Sequence, residues 1–108
     1  MELAFLTKGL RRICERQELM RDEFGLLTSQ KIKNRIDDIL AAEHVSELPI
    51  PGNITGDSAY EISFSSDGYI LLNANHLNNP KDSKGNIDWS KVRRVKIVSI
   101  GGNVYDNQ

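Results

Sequence analysis

The spacing of apolar residues changes period along the chain, and those changes divide it into elements. Glu2 to Leu6 is a short apolar run closed by Thr7-Lys8-Gly9, which predicts a strand followed by a helix that Thr7 caps. From Lys8 to about Arg21 the apolar positions Leu10, Ile13, Cys14 and Leu19 or Met20 form one stripe on a background of Arg11, Arg12, Glu15, Arg16 and Glu18. That is the spacing of an amphipathic helix. Asp22-Glu23-Phe24-Gly25 interrupts it. A second helix is predicted from about Leu26 to Ala42, with Ile32, Ile36, Ile39 and Leu40 inward and Lys31, Lys33, Arg35, Asp37 and Asp38 facing water. Helices joined by so tight a connection pack as an antiparallel hairpin, here laid on a sheet.

Beyond Ala42 the helical period is lost. Pro49, Pro51, Gly52 and Gly56 predict an irregular surface connection from Val45 to Asp57. In Ala59 to Ser65, Tyr60, Ile62 and Phe64 alternate with Glu61, Ser63 and Ser65, the period of a strand with one face in the core. Asp67-Gly68 supplies a hairpin turn. The next strand, Tyr69 to Asn75, is apolar on both sides at its start, as an interior strand should be. His76 to Asn86 has loop composition, and Asp88-Trp89-Ser90 offers a turn anchored by a large ring. Val92 to Ile100 predicts the last strand, with Arg93, Val95 and Ile97 on one face and Arg94, Lys96, Val98 and Ile100 on the other. Gly101-Gly102 ends it, before a polar tail from Val104 to Gln108. The order is β-α-α-β-β-β: an α+β chain in which a two-helix hairpin covers a small, mostly antiparallel, curved sheet.

Length and composition narrow the class. At 108 residues the chain is one domain, residues 1–108, with a single core. Its 39% apolar and 27% charged residues suit a soluble globular protein, and no apolar run is long enough for a membrane span. Met1 to Leu6 is short and carries an acid where a signal peptide would have a basic segment, so a cytoplasmic location is expected. The lone Cys14 rules out an internal disulfide framework or a Cys-rich zinc site and is read as a packing residue. Two histidines without clustered acids make no metal constellation, and His44, just past the second helix, reads as a surface residue favoured by the helix dipole. There is no Walker loop, dinucleotide fingerprint or nucleophile elbow.

A net charge of −1 gives no general attraction for nucleic acid, but the charge is uneven. Lys91, Arg93, Arg94 and Lys96 form a run of four cations without an acid. Tyr105 lies just beyond that strand, and His76 lies near the end of its expected neighbour. Cations on a strand can clamp phosphates and stabilise the charge that develops in phosphoryl transfer, while a Tyr or His moves protons. The same residues serve equally well as solvated strand charges and a packed tyrosine.

The order of elements resembles the RelE/ParE superfamily of bacterial toxins, in particular the HigB-related plasmid maintenance system killer proteins. The likeness rests on Leu3 to Glu15, on Ile36 to Glu43, on Gly56-Asp57 leading into Tyr60 to Phe64, on Asp67 to Leu72, and on Ile87-Asp-Trp-Ser-Lys-Val-Arg-Arg-Val-Lys-Ile97. It covers nearly the whole chain and lies in the order of the pieces more than in any one of them. Such a resemblance implies the toxin of a type II toxin–antitoxin pair: an mRNA endoribonuclease on the ribosome or, in the ParE branch, a gyrase inhibitor, held in check by an antitoxin in a hetero-oligomer. In the nuclease branch basic residues on the concave sheet face polarise the scissile phosphate, helped by a C-terminal Tyr or His. The RNA 2′-hydroxyl is the nucleophile there, and neither metal nor cofactor is needed. On this chain the resemblance assigns catalysis to Arg94, Lys96, Tyr105 and His76 and phosphate binding to Lys91 and Arg93.

The chain departs from that pattern in three places. Ser58 follows Gly-Asp where related toxins carry Arg, Tyr69-Ile70-Leu71 stands for Tyr-Arg-Leu, and Gly101-Gly-Asn-Val-Tyr105 replaces a C-terminal Asp-Tyr-His. Two missing phosphate contacts at about 3 kcal/mol each would slow the reaction on the order of 10⁴-fold unless Arg94, Lys96 and His76 replace them. The alternative expectation is a catalytically degenerate, toxin-like binding module that works through contacts with an antitoxin or with gyrase.

Overall fold

A computed structural model describes residues 1–50, 52–56 and 58–102. Strand β1 (Glu2–Phe5) leads into helix α1 (Lys8–Glu15), which Thr7 caps by accepting the Leu10 N–H on its Oγ1 at 3.0 Å. The long first helix expected from the sequence is two. Arg16 is extended, at φ −115° and ψ 112°, and separates α1 from α2 (Gln17–Phe24). The cause is Gln17, which falls where a continuous stripe through Ile13 and Cys14 would need an apolar side chain. With the break, Met20 and Phe24 enter the core, whereas α1 buries no residue fully.

Gly25, at φ 91°, turns the chain into α3 (Leu26–Ala41) through a backbone conformation that side chains disfavour. Helix α3 buries Ser29, Ile32, Ile36 and Ile39, spaced by three, four and three residues. Leu40, expected inward, lies off that stripe and is 52% exposed.

Five strands form one sheet in the order β1-β5-β4-β3-β2, with β1 and β5 parallel and all other pairs antiparallel. β3 is Ala59–Ser63, β4 is Gly68–Ala74 and β5 is Arg94–Gly102. The connection expected to be irregular holds a short 3-10 turn at Val45–Glu47 and a strand, β2 (Asn53–Thr55). Gly52 makes β2 possible: its N–H donates to the Tyr60 hydroxyl at 2.8 Å, and the Tyr60 ring fills the space a Cβ would take. Two β-branched residues, Ile54 and Thr55, then pair with Tyr60 and Ala59 before Gly56 turns the chain.

Strand β5 begins at Arg94, two residues later than expected, because Val92 and Arg93 follow a 3-10 turn at Trp89–Lys91. Its pairing with β4 shifts in register: Ile97 opposes Leu72, but Ser99 opposes Leu71, so Val98 is an extra residue in a bulge. The bulge reverses the alternation. Ile100 therefore pairs with the buried Ile70 and packs against the core, where the sequence pattern had set it on the face of Lys96.

Helices α2 and α3 pack on a single face of the sheet, burying Met20, Phe24, Ile32, Ile36 and Ile39 against Ile62, Ile70, Leu72, Val95 and Ile97. The Trp89 ring closes one end of this core, 5.2 Å from the ring of Tyr60. No described element covers the opposite face. Among the described residues no helix is long and apolar enough to cross a membrane, and no three His, Cys, Asp or Glu side chains come together as a group that could hold a metal.

Candidate functional site

Strand register assembles the uncovered face. Arg94 pairs with Glu2 of β1, while Lys96 lies between Ala4 of β1 and Asn73 of β4. Period-two alternation places Arg94 and Lys96 on the same side, about 6.6 Å apart along the strand. Arg94 is exposed and its Nε meets the Glu2 carboxylate at 2.8 Å. Lys96 is half-buried among its neighbours and has no ion pair among the described residues. Tyr69, Leu71 and Glu61 continue the same face across β4 and β3. Gly101 sits opposite Tyr69, and the ring lies so closely over it that a Cβ there would fall 2.6 Å from the phenol.

The other sequence-derived candidates are elsewhere. Lys91 lies in the turn before β5, 3.8 Å from the Asp88 carboxylate, and Arg93 is the residue that enters the strand. The four cations thus divide into a pair on the uncovered face and a pair at the strand entrance. His76 braces that entrance. Its Nε2 accepts the backbone N–H groups of Arg93 at 3.0 Å and Arg94 at 3.3 Å, while its own backbone N–H donates to Asn79 Oδ1 at 2.9 Å. An accepting Nε2 carries no hydrogen, so the ring proton sits on Nδ1 and the lone pair facing the strand is in use. Tyr105 lies outside the described residues. Of the departures from the toxin pattern, Ser58 is exposed in a turn, whereas Ile70 is fully buried in the core.

Three residues of the face escaped sequence reasoning: Glu2, Asn73 and Tyr69. The first two join the basic strand only through register with β1 and β4, which no local pattern encodes. For Tyr69 there was a signal, since a large ring on one strand beside a Gly-Gly pair on a neighbour suggests a ring laid over glycine. It stands four residues along β4 from Asn73, about 13 Å at the usual strand rise, and so does not share one phosphate site with Lys96.

A cavity of about 620 Å³ lies on the other side of the sheet, between β1 and the three helices. Half of its lining is apolar, from Leu3, Phe5, Cys14, Met20, Ile36 and Leu40, and half is polar, with Glu15, Gln17, Lys33 and Asp37 among the latter. None of the candidate site residues lines it. Burial, and secondarily the Glu15 carboxylate, push the Cys14 thiol up to about 11, which leaves it protonated and unreactive near neutrality.

The uncovered face is therefore open, with one cation free of ion pairs among the described residues, one cation held by a carboxylate, the Asn73 amide on the neighbouring strand, and an aromatic–aliphatic patch beyond. It can bind a phosphate by charge or a protein by contact. Compared with protein-family models, with curated proteins and with solved structures, the chain matches none.

Proposed function

We propose that this chain is the toxin component of a bacterial type II toxin–antitoxin pair, of RelE/ParE type, and that it cleaves mRNA at the ribosome with the uncovered face of its sheet. The observation that carries this is the emergence of Arg94 and Lys96 side by side on a face that no described helix covers. Lys96, with the Asn73 amide beside it, takes the scissile phosphate. Arg94 exchanges Glu2 for a phosphate oxygen. That exchange is favourable in magnitude: an exposed ion pair is worth about 0–1 kcal/mol, whereas a charge-assisted contact to a transition-state oxyanion is worth about 3 kcal/mol. The RNA 2′-hydroxyl attacks the phosphorus and the 5′-oxygen leaves, so the chemistry calls for no metal. With the His76 lone pair committed to the entrance of β5, proton transfer falls to Tyr105.

A second reading has its own support. Ile70 and Ser58 stand where related toxins carry cations, and Tyr69 and Leu71 give the same face an aromatic–aliphatic patch of the kind that anchors protein interfaces. On that basis the chain binds an antitoxin or gyrase without cleaving RNA. Expression of the protein without its genetic neighbour separates the two. Growth arrest with mRNA cut at ribosomal A sites supports cleavage. Arrest with intact mRNA and damaged DNA supports action on gyrase, and unimpaired growth contradicts both toxic activities and leaves the inert module that binds an antitoxin.

A further inference from the structure

At its entrance β5 is closed by a side chain instead of a backbone group. The Asn75 N–H donates to the Arg94 carbonyl at 2.8 Å, which is one half of an antiparallel rung. The return bond, from the Arg94 N–H, goes to His76 Nε2 at 3.3 Å, and the same nitrogen accepts the Arg93 N–H at 3.0 Å. Strand β4 ends at Ala74, opposite Val95, so the imidazole takes the place of the next backbone acceptor. That replacement changes the chemistry of the rung. A carbonyl accepts at any pH, whereas an imidazole nitrogen accepts while it carries no proton. Histidine is the side chain that changes charge between about pH 5 and 8.

We infer that His76 is a pH-sensitive latch on the entrance of β5: neutral, it closes the first rung, and protonated, it releases Arg93 and Arg94. An imidazolium directs an N–H at two N–H donors, so both bonds are lost together and the ring turns away. The charged groups around it do not offset the new charge. Arg93 and Arg94 stand at the entrance with Lys91 in the turn before them, while the Asp88 carboxylate lies 3.8 Å from Lys91 and that of Glu2 lies 2.8 Å from Arg94. Both carboxylates therefore already have cations. Glu47 belongs to the 3-10 turn whose Val45 N–H bonds the Val92 carbonyl, and it is taken up by His44 and by the Glu43 N–H. On its own loop the partner of His76 is the neutral Asn79. His44 supplies the contrast, because its Nε2 lies 3.4 Å from the Glu47 carboxylate and its Nδ1 lies 2.6 Å from the Ser46 hydroxyl, contacts that a protonated ring keeps. The two histidines of the chain thus answer acid in opposite ways. Release falls on the uncovered face, since Arg94 is the first residue of β5 and stands beside Lys96. The latch holds whether that face cleaves RNA or binds a protein.

The test is amide hydrogen exchange of the full chain, read by NMR at about pH 7.5 and about pH 5 and divided by the intrinsic rate at each. Ring nitrogen shifts report the tautomer. At the higher pH His76 carries its proton on Nδ1, and the amides of Arg93 and Arg94 are protected. At the lower pH their protection falls at least tenfold, while that of the paired residues Ile62 and Ile70 in the middle of the sheet changes less than twofold. His76→Gln sets an amide oxygen where Nε2 stood, an acceptor that does not titrate, and holds the protection at both pH values. His76→Ala has the lower protection at both, and His44→Gln keeps the wild-type fall. Equal protection of the wild type at the two pH values, an Nε2–H tautomer at the higher one, the same fall in His76→Gln, or undiminished protection in His76→Ala overturns the proposal. So does a fall shared by Ile62 and Ile70, because acid then loosens the whole sheet and not its entrance.

Discussion

The covered and uncovered faces of the sheet are made by the same strands under opposite constraints. On the covered face Ile62, Ile70, Leu72, Val95 and Ile97 are wholly inaccessible and share one core with Ile32, Ile36 and Ile39 of helix α3. On the uncovered face Glu61, Tyr69, Leu71, Asn73 and Lys96 stand half-exposed, a mixture of charge, amide, ring and aliphatic chain. Close packing decides the first set, because a methylene lost there leaves a cavity. Apart from the Tyr69 ring, which lies over Gly101, nothing in the described fold fixes the second set, so its side chains are free to serve a contact outside the molecule. The difference is sharpest at β4, where adjacent residues obey different rules: Ile70 cannot change size, while Leu71 can.

Substitutions on the two faces should therefore act on different observables. Ile97→Ala is expected to destabilise by about 2–5 kcal/mol, read as a lower denaturant midpoint with an unchanged slope. A loss below 1 kcal/mol would mean that the covered face is not tightly packed. Gly101→Ala is expected to cost about 1–3 kcal/mol, because the new Cβ overlaps the Tyr69 ring. Tyr69→Ala made together with it should restore most of that loss in a double-mutant cycle.

A smaller effect comes from Cys14. Its folded-state value of about 11 exceeds the ordinary thiol value of 9.0, so the folded chain holds a proton that the unfolded chain releases between them. The corresponding stability is complete below pH 9 and is lost as pH rises through 11. Cys14→Ala should flatten that alkaline decline in a series of unfolding curves. Smallest of all, Lys96→Ala should change stability by no more than about 0.5 kcal/mol, as suits a surface position without an ion pair.

Local pattern predicted what local forces determine. The α3 stripe through Ile32, Ile36 and Ile39 was readable because each side chain meets the same layer, and the β3–β4 hairpin because period two and Asp67-Gly68 agree. The break at Arg16 was written in Gln17, but a one-residue gap in a stripe is easily bridged by eye. β2 was hidden because its three residues form a strand only when Tyr60 lies across Gly52, a contact that depends on the tertiary fold. The bulge at Val98 is a matter of pairing between strands, so Ile100 was assigned to the wrong face. For the site, alternation was enough to set Arg94 beside Lys96. It could not show that Glu2 holds Arg94, nor that His76 supports the start of β5, since both contacts join segments far apart in sequence. The parallel neighbour of β5 is likewise invisible to hydrophobic period, and with it the open edge of β1.

The uncovered face is most directly tested by programmed ribosomes carrying a defined mRNA, incubated with purified wild-type protein and with Lys96→Ala, and analysed by mapping of 5′ ends. Cleavage within the A-site codon by the wild type, slowed about 10²–10³-fold by Lys96→Ala while the folded fraction is unchanged, is the predicted result. Intact mRNA with the wild type, or equal cleavage by both proteins, would contradict it.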